Sequence, residues 1–150
     1  MHQSKFLWAG LFGLLSLFIS SQLFAQADVI EKRQKLMKSN AAAAKAIKGA
    51  AEEKDYAAVE TKAKEIMGNA EKIPDLFPKG STKGKTKAKG EIWDKWDEFS
   101  KNPGKLRKAA NELAGAAAAK DDDKVKAGIK ALSGTCKGCH ESFRAEKYSE

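Results

Sequence analysis

Two thiols and an imidazole lie within five residues near the C-terminus, in the segment Cys136-Lys137-Gly138-Cys139-His140. On a helix, residues three and four positions apart share a face, so the three side chains would project toward the same side. Two thiols at this spacing can add to the two vinyl groups of a haem, and the adjacent imidazole can bind the iron. Because Cys-x-x-Cys-His is the attachment motif of c-type haem, the segment predicts one covalently bound haem c.

Two other chemistries of paired cysteines are weaker interpretations. A redox-active Cys-x-x-Cys expects a βαβ context, whereas the sequence around Cys136 and Cys139 has helical periodicity. A structural zinc site needs four ligands, and the chain holds only two cysteines and two histidines, one of them at position 2. Cys136 and Cys139 are therefore the expected haem attachment sites, with His140 as an axial ligand of the iron.

The N-terminal segment has the features of a secretory signal peptide. Lys5 precedes an almost unbroken apolar run from residue 6 to residue 19, and Ala25-Gln26-Ala27 forms a small-x-small cleavage pattern. An uncleaved anchor is the weaker interpretation, because a membrane span needs about 20 apolar residues. Removal of residues 1–27, by cleavage after Ala27 or after Ala25, would leave a single periplasmic domain, residues 28–150, with no stable membrane span.

Composition and charge narrow the fold and the partners. Charged residues make up 32%, aromatic residues only 8%, and prolines number three, which favours an all-α fold. The formal net charge is +8, of which Lys5 in the leader contributes one. This excess predicts partners with acidic surfaces. Nucleic acid is not an expected partner, because no aromatic residue alternates with the lysines and the protein is expected to be exported.

Hydrophobic periodicity predicts four helices in residues 28–150. Aspartates are candidate N-caps, and Pro74 cannot continue a helix. The predicted helices begin, in chain order, at Asp28, at Asp55, around Pro103 and at Asp122 or Asp123, and they end at about Gly49, at Pro74, at Ala119 and at Phe143. Lengths of roughly 15 to 22 residues, or about 22 to 33 Å, suit an antiparallel four-helix bundle with the cofactor between facing helices.

A long irregular segment separates the second and third predicted helices. Residues 74–90 contain two prolines, three glycines and five lysines, which predicts a mobile loop. The favoured interpretation of its lysines is a solvated linker, and a docking patch for an acidic partner is the alternative. A short helical stripe of apolar and aromatic residues follows, at Ile92, Trp93, Trp96 and Phe99.

The chain resembles the cytochrome c prime family, the class II c-type cytochromes, over all of residues 28–150. The resemblance rests on Arg33-Gln34, Ile92-Trp93, the alanine-rich segment 106–119, and the motif at 136–140 followed by Glu141-Ser142-Phe143-Arg144. It implies that Arg33 lies beside a haem propionate and that Met37, one turn later, faces the distal side of the iron. Gln34, Trp93, Phe143 and Arg144 are further candidates for the haem environment.

The residue at position 37 decides which function the resemblance implies. Family members with methionine there are low-spin electron carriers, whereas members with an aromatic or aliphatic residue resemble high-spin, five-coordinate proteins that take up nitric oxide or carbon monoxide. Arg33 and Met37 share a helix face, in agreement with this assignment. The expectation is a periplasmic carrier of single electrons, not an enzyme, with His140 and Met37 as axial ligands.

Some alternatives stay open at this point. Met67 or a lysine could replace Met37 as ligand, or the distal site could be open, as in a gas-binding protein. Catalysis is less favoured, because no distal histidine or acid pair is available to move protons. The expected partners are redox proteins with an acidic docking surface, and the chain is expected to be a monomer or a homodimer.

Overall fold

Most of the chain folds into helices, which agrees with its alanine-, lysine- and glutamate-rich composition. The computed structural model describes the backbone of residues 9–82 and 84–148 and the side chains of residues 27–82 and 84–148. The elements are α1 (Ala9–Glu52), α2 (Tyr56–Lys72), a 3-10 turn (Pro74–Leu76), α3 (Glu91–Asp94), α4 (Trp96–Phe99), α5 (Lys101–Ala118) and α6 (Asp122–Phe143). The predicted all-α four-helix bundle is confirmed, with α1, α2, α5 and α6 as its long helices.

Two Lys-Asp turns connect the long helices, one between α1 and α2 and the other between α5 and α6. Lys54 after α1 and Lys120 after α5 adopt the left-handed conformation, with φ of 57° and 52°. The aspartate that follows each lysine bonds back to the preceding helix, Asp55 N–H to Ala50 O at 2.8 Å and Asp121 N–H to the carbonyl of residue 116 at 3.1 Å. Each aspartate then caps the next helix. One Lys-Asp dipeptide therefore ends a helix and begins its antiparallel neighbour.

The helix ends differ from the predicted ones in three places. Asp28 does not cap α1, because the helix begins earlier, and its carboxylate instead lies 2.6 Å from Lys32 Nζ. α1 continues past Gly49 and ends at Glu52. The residue in the left-handed conformation after this helix is Lys54 and not a glycine. The cap of α6 is Asp121, whose carboxylate accepts from Lys124 N–H, and not Asp122 or Asp123.

Other predicted features of the helices agree with the structure. Asp55 caps α2 by accepting from Ala58 N–H at 3.0 Å, and α2 ends just before Pro74. Pro103 lies in the first turn of α5, although that helix begins two residues earlier. The expected aromatic stripe is divided at Lys95 into the single-turn helices α3 and α4. The signal-peptide prediction concerns residues 1–27, which lie almost wholly outside the described side chains, so it remains a prediction.

The core is built on α2 and α5, which carry many small buried side chains. These alanines allow the two helices to approach closely, and the larger aliphatic residues between them fill the remaining space. Buried core residues on these two helices are Val59, Ala63, Ile66, Ala70, Leu106, Ala109, Ala110, Leu113, Ala114, Ala116 and Ala117.

Packing around the bundle is uneven. α1 packs along α2, α2 along α5 and α5 along α6, whereas α1 and α6 touch at few positions. The side of the bundle between α1 and α6 is therefore the least closely packed of its four sides. Within the described ranges, no helix is long and apolar enough to cross a membrane.

We expect Gly128→Ala to destabilise the bundle. A Cβ at this position on α6 would lie 3.0 Å from Leu113 Cδ1 and 3.3 Å from Leu113 Cα, and a backbone atom cannot yield without shifting α5. The expected loss is about 1–2 kcal/mol of unfolding free energy. Gly134→Ala is the matched control, since a Cβ there has nothing within 4 Å; it should gain about 0.5–1 kcal/mol. Equal gains for both variants in urea unfolding would contradict this close approach.

Candidate functional site

The two cysteines lie on the inner face of α6. This face carries Val125, Leu132 and Phe143, which are buried, and it places Cys136 and Cys139 half-buried against the core. Burial raises the pKa of both thiols, and for Cys139 the neighbouring Cys136 raises it further while Lys105 opposes the rise. The two thiols therefore face inward, three residues apart on one helix face.

His140 lies at the border of the same face. It follows Cys139 directly, so it is turned by about 100° from that residue, and it is exposed. Desolvation and then the positive charge of Arg144 lower the pKa of the imidazole. The lowered pKa favours the neutral ring, which is the form that binds a metal ion.

Met37 lies on α1, on the side that faces the core. Its side chain is partly buried and packs against the core cluster, as do Cys136 and Cys139. The other methionine of the described side chains, Met67 on α2, also contacts the core but lines a cavity of about 230 Å³ with residues of α5. The two methionines therefore face different parts of the bundle.

Arg33, one turn before Met37, is buried with 4% of its surface exposed. The connecting loop, defined here as residues 77–90, folds over its guanidinium. Nη2 donates to Ser81 O at 3.1 Å and to Thr86 Oγ1 at 2.8 Å, and Nη1 donates to Ser81 Oγ at 3.2 Å and to Leu76 O at 3.3 Å. The ring of Phe77 lies 4.5 Å from the guanidinium carbon.

The charge of Arg33 has no carboxylate partner among the described residues. Its guanidinium contacts neutral oxygens and the ring of Phe77, and desolvation lowers the pKa of the guanidinium to about 10. A buried cation is costly unless an anion lies near it. A haem propionate would supply that anion, and Nε of Arg33 takes part in none of the four hydrogen bonds above. The predicted pairing of Arg33 with a propionate remains a proposal.

The connecting loop also holds the C-terminal end of α6. Lys89 N–H donates to Phe143 O at 3.0 Å, and Ala145 N–H donates to Lys87 O at 2.8 Å. The ammonium group of Lys89 donates to Ser142 O at 3.1 Å and to Glu141 O at 3.3 Å, which are carbonyls just after His140. Together with the buried Ser81 and Thr86, these contacts correct the prediction of a mobile, solvated linker.

Three residues predicted for the haem environment contact the connecting loop or the aromatic cluster, defined here as Phe77, Trp96, Phe99 and Phe143. Gln34 Nε2 donates to Lys85 O at 2.8 Å, and Trp93 Nε1 donates to the carbonyls of residues 77 and 78 at 3.1 and 3.0 Å. The ring of Phe143 packs edge-on against Phe99 at 5.4 Å. Arg144 is exposed beside His140. A direct role at a haem remains a proposal for all four.

Sequence reasoning missed the residues that organise the loop. Ser81 and Thr86 are two hydroxyl residues in a stretch of lysines and glycines, and their burial gives Arg33 its acceptors. Phe77 links Arg33 to the rest of the aromatic cluster, with its ring 4.7 Å from that of Phe99. No local signal marks these residues, because serine and threonine are common in loops, and their burial depends on an arginine more than 40 residues earlier in the chain.

The residues brought together here fit a covalently bound haem. Two inward-facing thiols and an imidazole occupy one end of α6, a thioether faces the core from α1, and a buried cation without a carboxylate lies one turn from that thioether. The helices that carry these groups, α1 and α6, touch each other at few positions. Fold and donor set together define a helical c-type haem protein.

Comparisons with known proteins agree with this class. The family profile described as Cytochrome C' matches residues 28–144. A cytochrome c' of Rhodopseudomonas palustris is 38% identical over 128 residues, which is 82% of this chain and 86% of that protein. A cytochrome c-556 of Agrobacterium fabrum is 33% identical over 142 residues, or 93% of each chain. The crystal structure of cytochrome c' from Thermochromatium tepidum is 30% identical, with a TM-score of 0.75 over 81% of this chain and 97% of that one.

The chain belongs to the cytochrome c prime family. As a member it carries one haem c with its iron, attached covalently.

We expect Thr86→Val to weaken the anchoring of the connecting loop. The substitution keeps the side-chain shape but removes the oxygen that accepts from Arg33 at 2.8 Å and from Ala88 N–H at 3.1 Å. A buried cationic donor then lacks an acceptor, which should cost about 1–3 kcal/mol of unfolding free energy. Thr61→Val, on the exposed face of α2, is the control and should change stability by less than about 0.5 kcal/mol. Equal losses in the two variants would show that the loop is not held through Arg33.

Proposed function

We propose that this protein carries single electrons, with His140 and Met37 as the axial ligands of its haem iron. The observation that carries the proposal is the position of Met37, which packs toward the core from α1, one turn from the buried Arg33. α1 is the helix across the loosely packed side of the bundle from the inward-facing cysteines of α6. A ligand from α1 would therefore approach the iron from the side opposite His140.

Other candidate ligands are less well placed. Met67 faces the cavity beside α5, on another side of the bundle from α1. No lysine of the described residues is buried, so none has the desolvation that would favour the neutral amine needed for ligation. α1 and α6 face each other across the loosely packed side of the bundle. Among their described side chains, α1 offers one thioether, that of Met37, and α6 offers one imidazole, that of His140.

The bound haem supplies one-electron exchange between ferric and ferrous iron, and methionine as an axial ligand raises the reduction potential. The chain contributes a rigid pair of ligands on two long helices. A site whose ligands stay in place in both oxidation states needs little rearrangement when an electron arrives. This is the arrangement expected of a carrier rather than an enzyme.

Location and partners complete the proposal. The segment before residue 28 would act as a signal peptide, cleaved after Ala27 or Ala25, and deliver residues 28–150 to the periplasm. The partners would be redox proteins, with an acidic surface to match the basic chain. The chain would act as a monomer or a homodimer.

A gas-binding protein with an open distal site is the second candidate. It is favoured by the relatives named cytochrome c' and by the partial exposure of Met37, which a weakly held ligand would also show. Both candidates use the same attachment residues and the same His140. They differ in whether the Met37 sulfur occupies the sixth position.

We expect Met37→Leu to remove the sixth ligand. The oxidised holoprotein should lose the methionine-to-ferric-iron charge-transfer band, its reduction potential should fall, and the reduced form should bind carbon monoxide, because leucine has no donor atom. Met67→Leu is the matched control, with the same chemical change in another part of the core and a stability cost of less than about 1.5 kcal/mol. Loss of the band in Met67→Leu instead would assign the ligand to α2. Carbon monoxide binding that is the same before and after Met37→Leu would support the open-site alternative.

A further inference from the structure

Many lysines of this protein lie beside a carboxylate. Eight of those on the helices have an acidic partner three or four residues away, at distances between 2.5 and 3.7 Å. The two charges of each pair largely cancel, so the helix surface around them exerts little electrostatic attraction on another molecule.

One surface lacks this balance. We define the basic face as residues 84–89 and 140–148, which the backbone bonds between Lys87 and Ala145 and between Lys89 and Phe143 hold together. It carries five cationic side chains and two carboxylates, a net charge of +3. None of its cations has a carboxylate partner among the described residues, and one of the carboxylates, Glu141, already lies 3.6 Å from a lysine of α6. The five cations are Lys85, Lys87, Lys89, Arg144 and Lys147.

Three lysines of the connecting loop, Lys85, Lys87 and Lys89, make contacts that hold them in position. The ammonium group of Lys87 donates to Glu146 O at 2.6 Å and lies 4.9 Å from the exposed ring of Tyr148. Lys85 Nζ lies 5.6 Å from the same ring, and Lys89 donates to two carbonyls at the end of α6. Because these contacts are with neutral groups, they fix the ammonium groups without cancelling their charge.

The basic face is next to the haem-binding motif. Arg144 is four residues beyond His140, and its backbone N–H donates to the carbonyl of His140 at 3.0 Å. Lys89 binds the carbonyls of residues 141 and 142, which directly follow His140. An anionic surface seated on this face would therefore lie beside the imidazole side of the proposed haem site.

We propose that the basic face is the docking surface for an acidic protein that exchanges electrons with this cytochrome. The partner chemistry is a cluster of carboxylates, matched to ammonium and guanidinium groups that are already fixed in place. This inference rests on the proposed electron-carrier function, because it names the surface through which that function is exercised. The solvated-linker interpretation of the same lysines predicts no such preference.

The test compares two double variants of the holoprotein with equal net charge. Lys85→Gln/Lys87→Gln removes two cations from the basic face, whereas Lys45→Gln/Lys48→Gln removes two exposed lysines that lie 12 and 15 residues further along α1 than Arg33, about 18 Å and more along the axis. Poly-L-glutamate is the binding probe, followed by amide chemical-shift changes at low salt. Ferricyanide is the redox probe: the reduced protein gives it one electron, which forms ferrocyanide.

We expect the basic-face variant to bind poly-L-glutamate about threefold to tenfold more weakly and to react with ferricyanide more slowly by a similar factor, with a weaker dependence on salt. The α1 control should change each quantity by less than about twofold. Glu146→Gln, which raises the charge of the face, should strengthen binding. Equal effects of the two double variants would overturn the proposal, because binding would then follow net charge alone.

The test of the basic face can succeed or fail independently of the test of Met37 as an iron ligand. Binding of poly-L-glutamate does not depend on the sixth iron ligand, so shifts centred on residues 84–89 and 140–148 would support the surface even if Met37 proved not to bind iron. Shifts spread evenly over the lysine-rich helices would reject the surface even if the methionine-to-iron band were present.

Discussion

Arg33 lies buried between α1 and the connecting loop, and the folding of the loop follows from the need to satisfy its guanidinium. Leaving a buried cationic donor unpaired is costly, so the carbonyl of Leu76, the two oxygens of Ser81 and the hydroxyl of Thr86 converge on it. Ser81 and Thr86 become buried in a segment that is otherwise lysine- and glycine-rich. One side chain of α1 thereby fixes the path of a long irregular loop.

The same loop also contacts the end of α6, the helix that carries the haem-binding motif. Its far end binds the carbonyl of Phe143 and the backbone of Ala145, and its aromatic residue Phe77 continues through Phe99 to the ring of Phe143. α1 and α6 touch each other at few positions, so the loop is a main connection between the helix of Met37 and the helix of His140. Such an indirect connection can hold the two proposed ligands at a fixed separation while leaving the space between their helices for a flat cofactor.

Sequence reasoning succeeded where one pattern had one physical cause. The haem motif, the helical period and the cap at Asp55 depend on local spacing, and all three could be interpreted without knowledge of distant residues. The helix ends were less predictable, because α1 and α5 stop at a lysine in the left-handed conformation, a position at which glycine is the usual signal. The loop could not be predicted, since its order depends on a buried arginine more than 40 residues earlier in the chain. The position of Met37 is predictable only in part. Its place one turn after Arg33 on the same helix face follows from the sequence, but its distance from the iron depends on how all the helices pack.

We propose that this member of the cytochrome c prime family is an electron carrier in which two helices supply one iron ligand each. The most direct test is the near-infrared magnetic circular dichroism spectrum of the oxidised, unmodified holoprotein. Ligation by His140 and Met37 predicts a low-spin ferric spectrum containing the charge-transfer band of a methionine sulfur bound to iron. A high-spin spectrum without that band would contradict it and would assign the protein to the gas-binding members of the same fold.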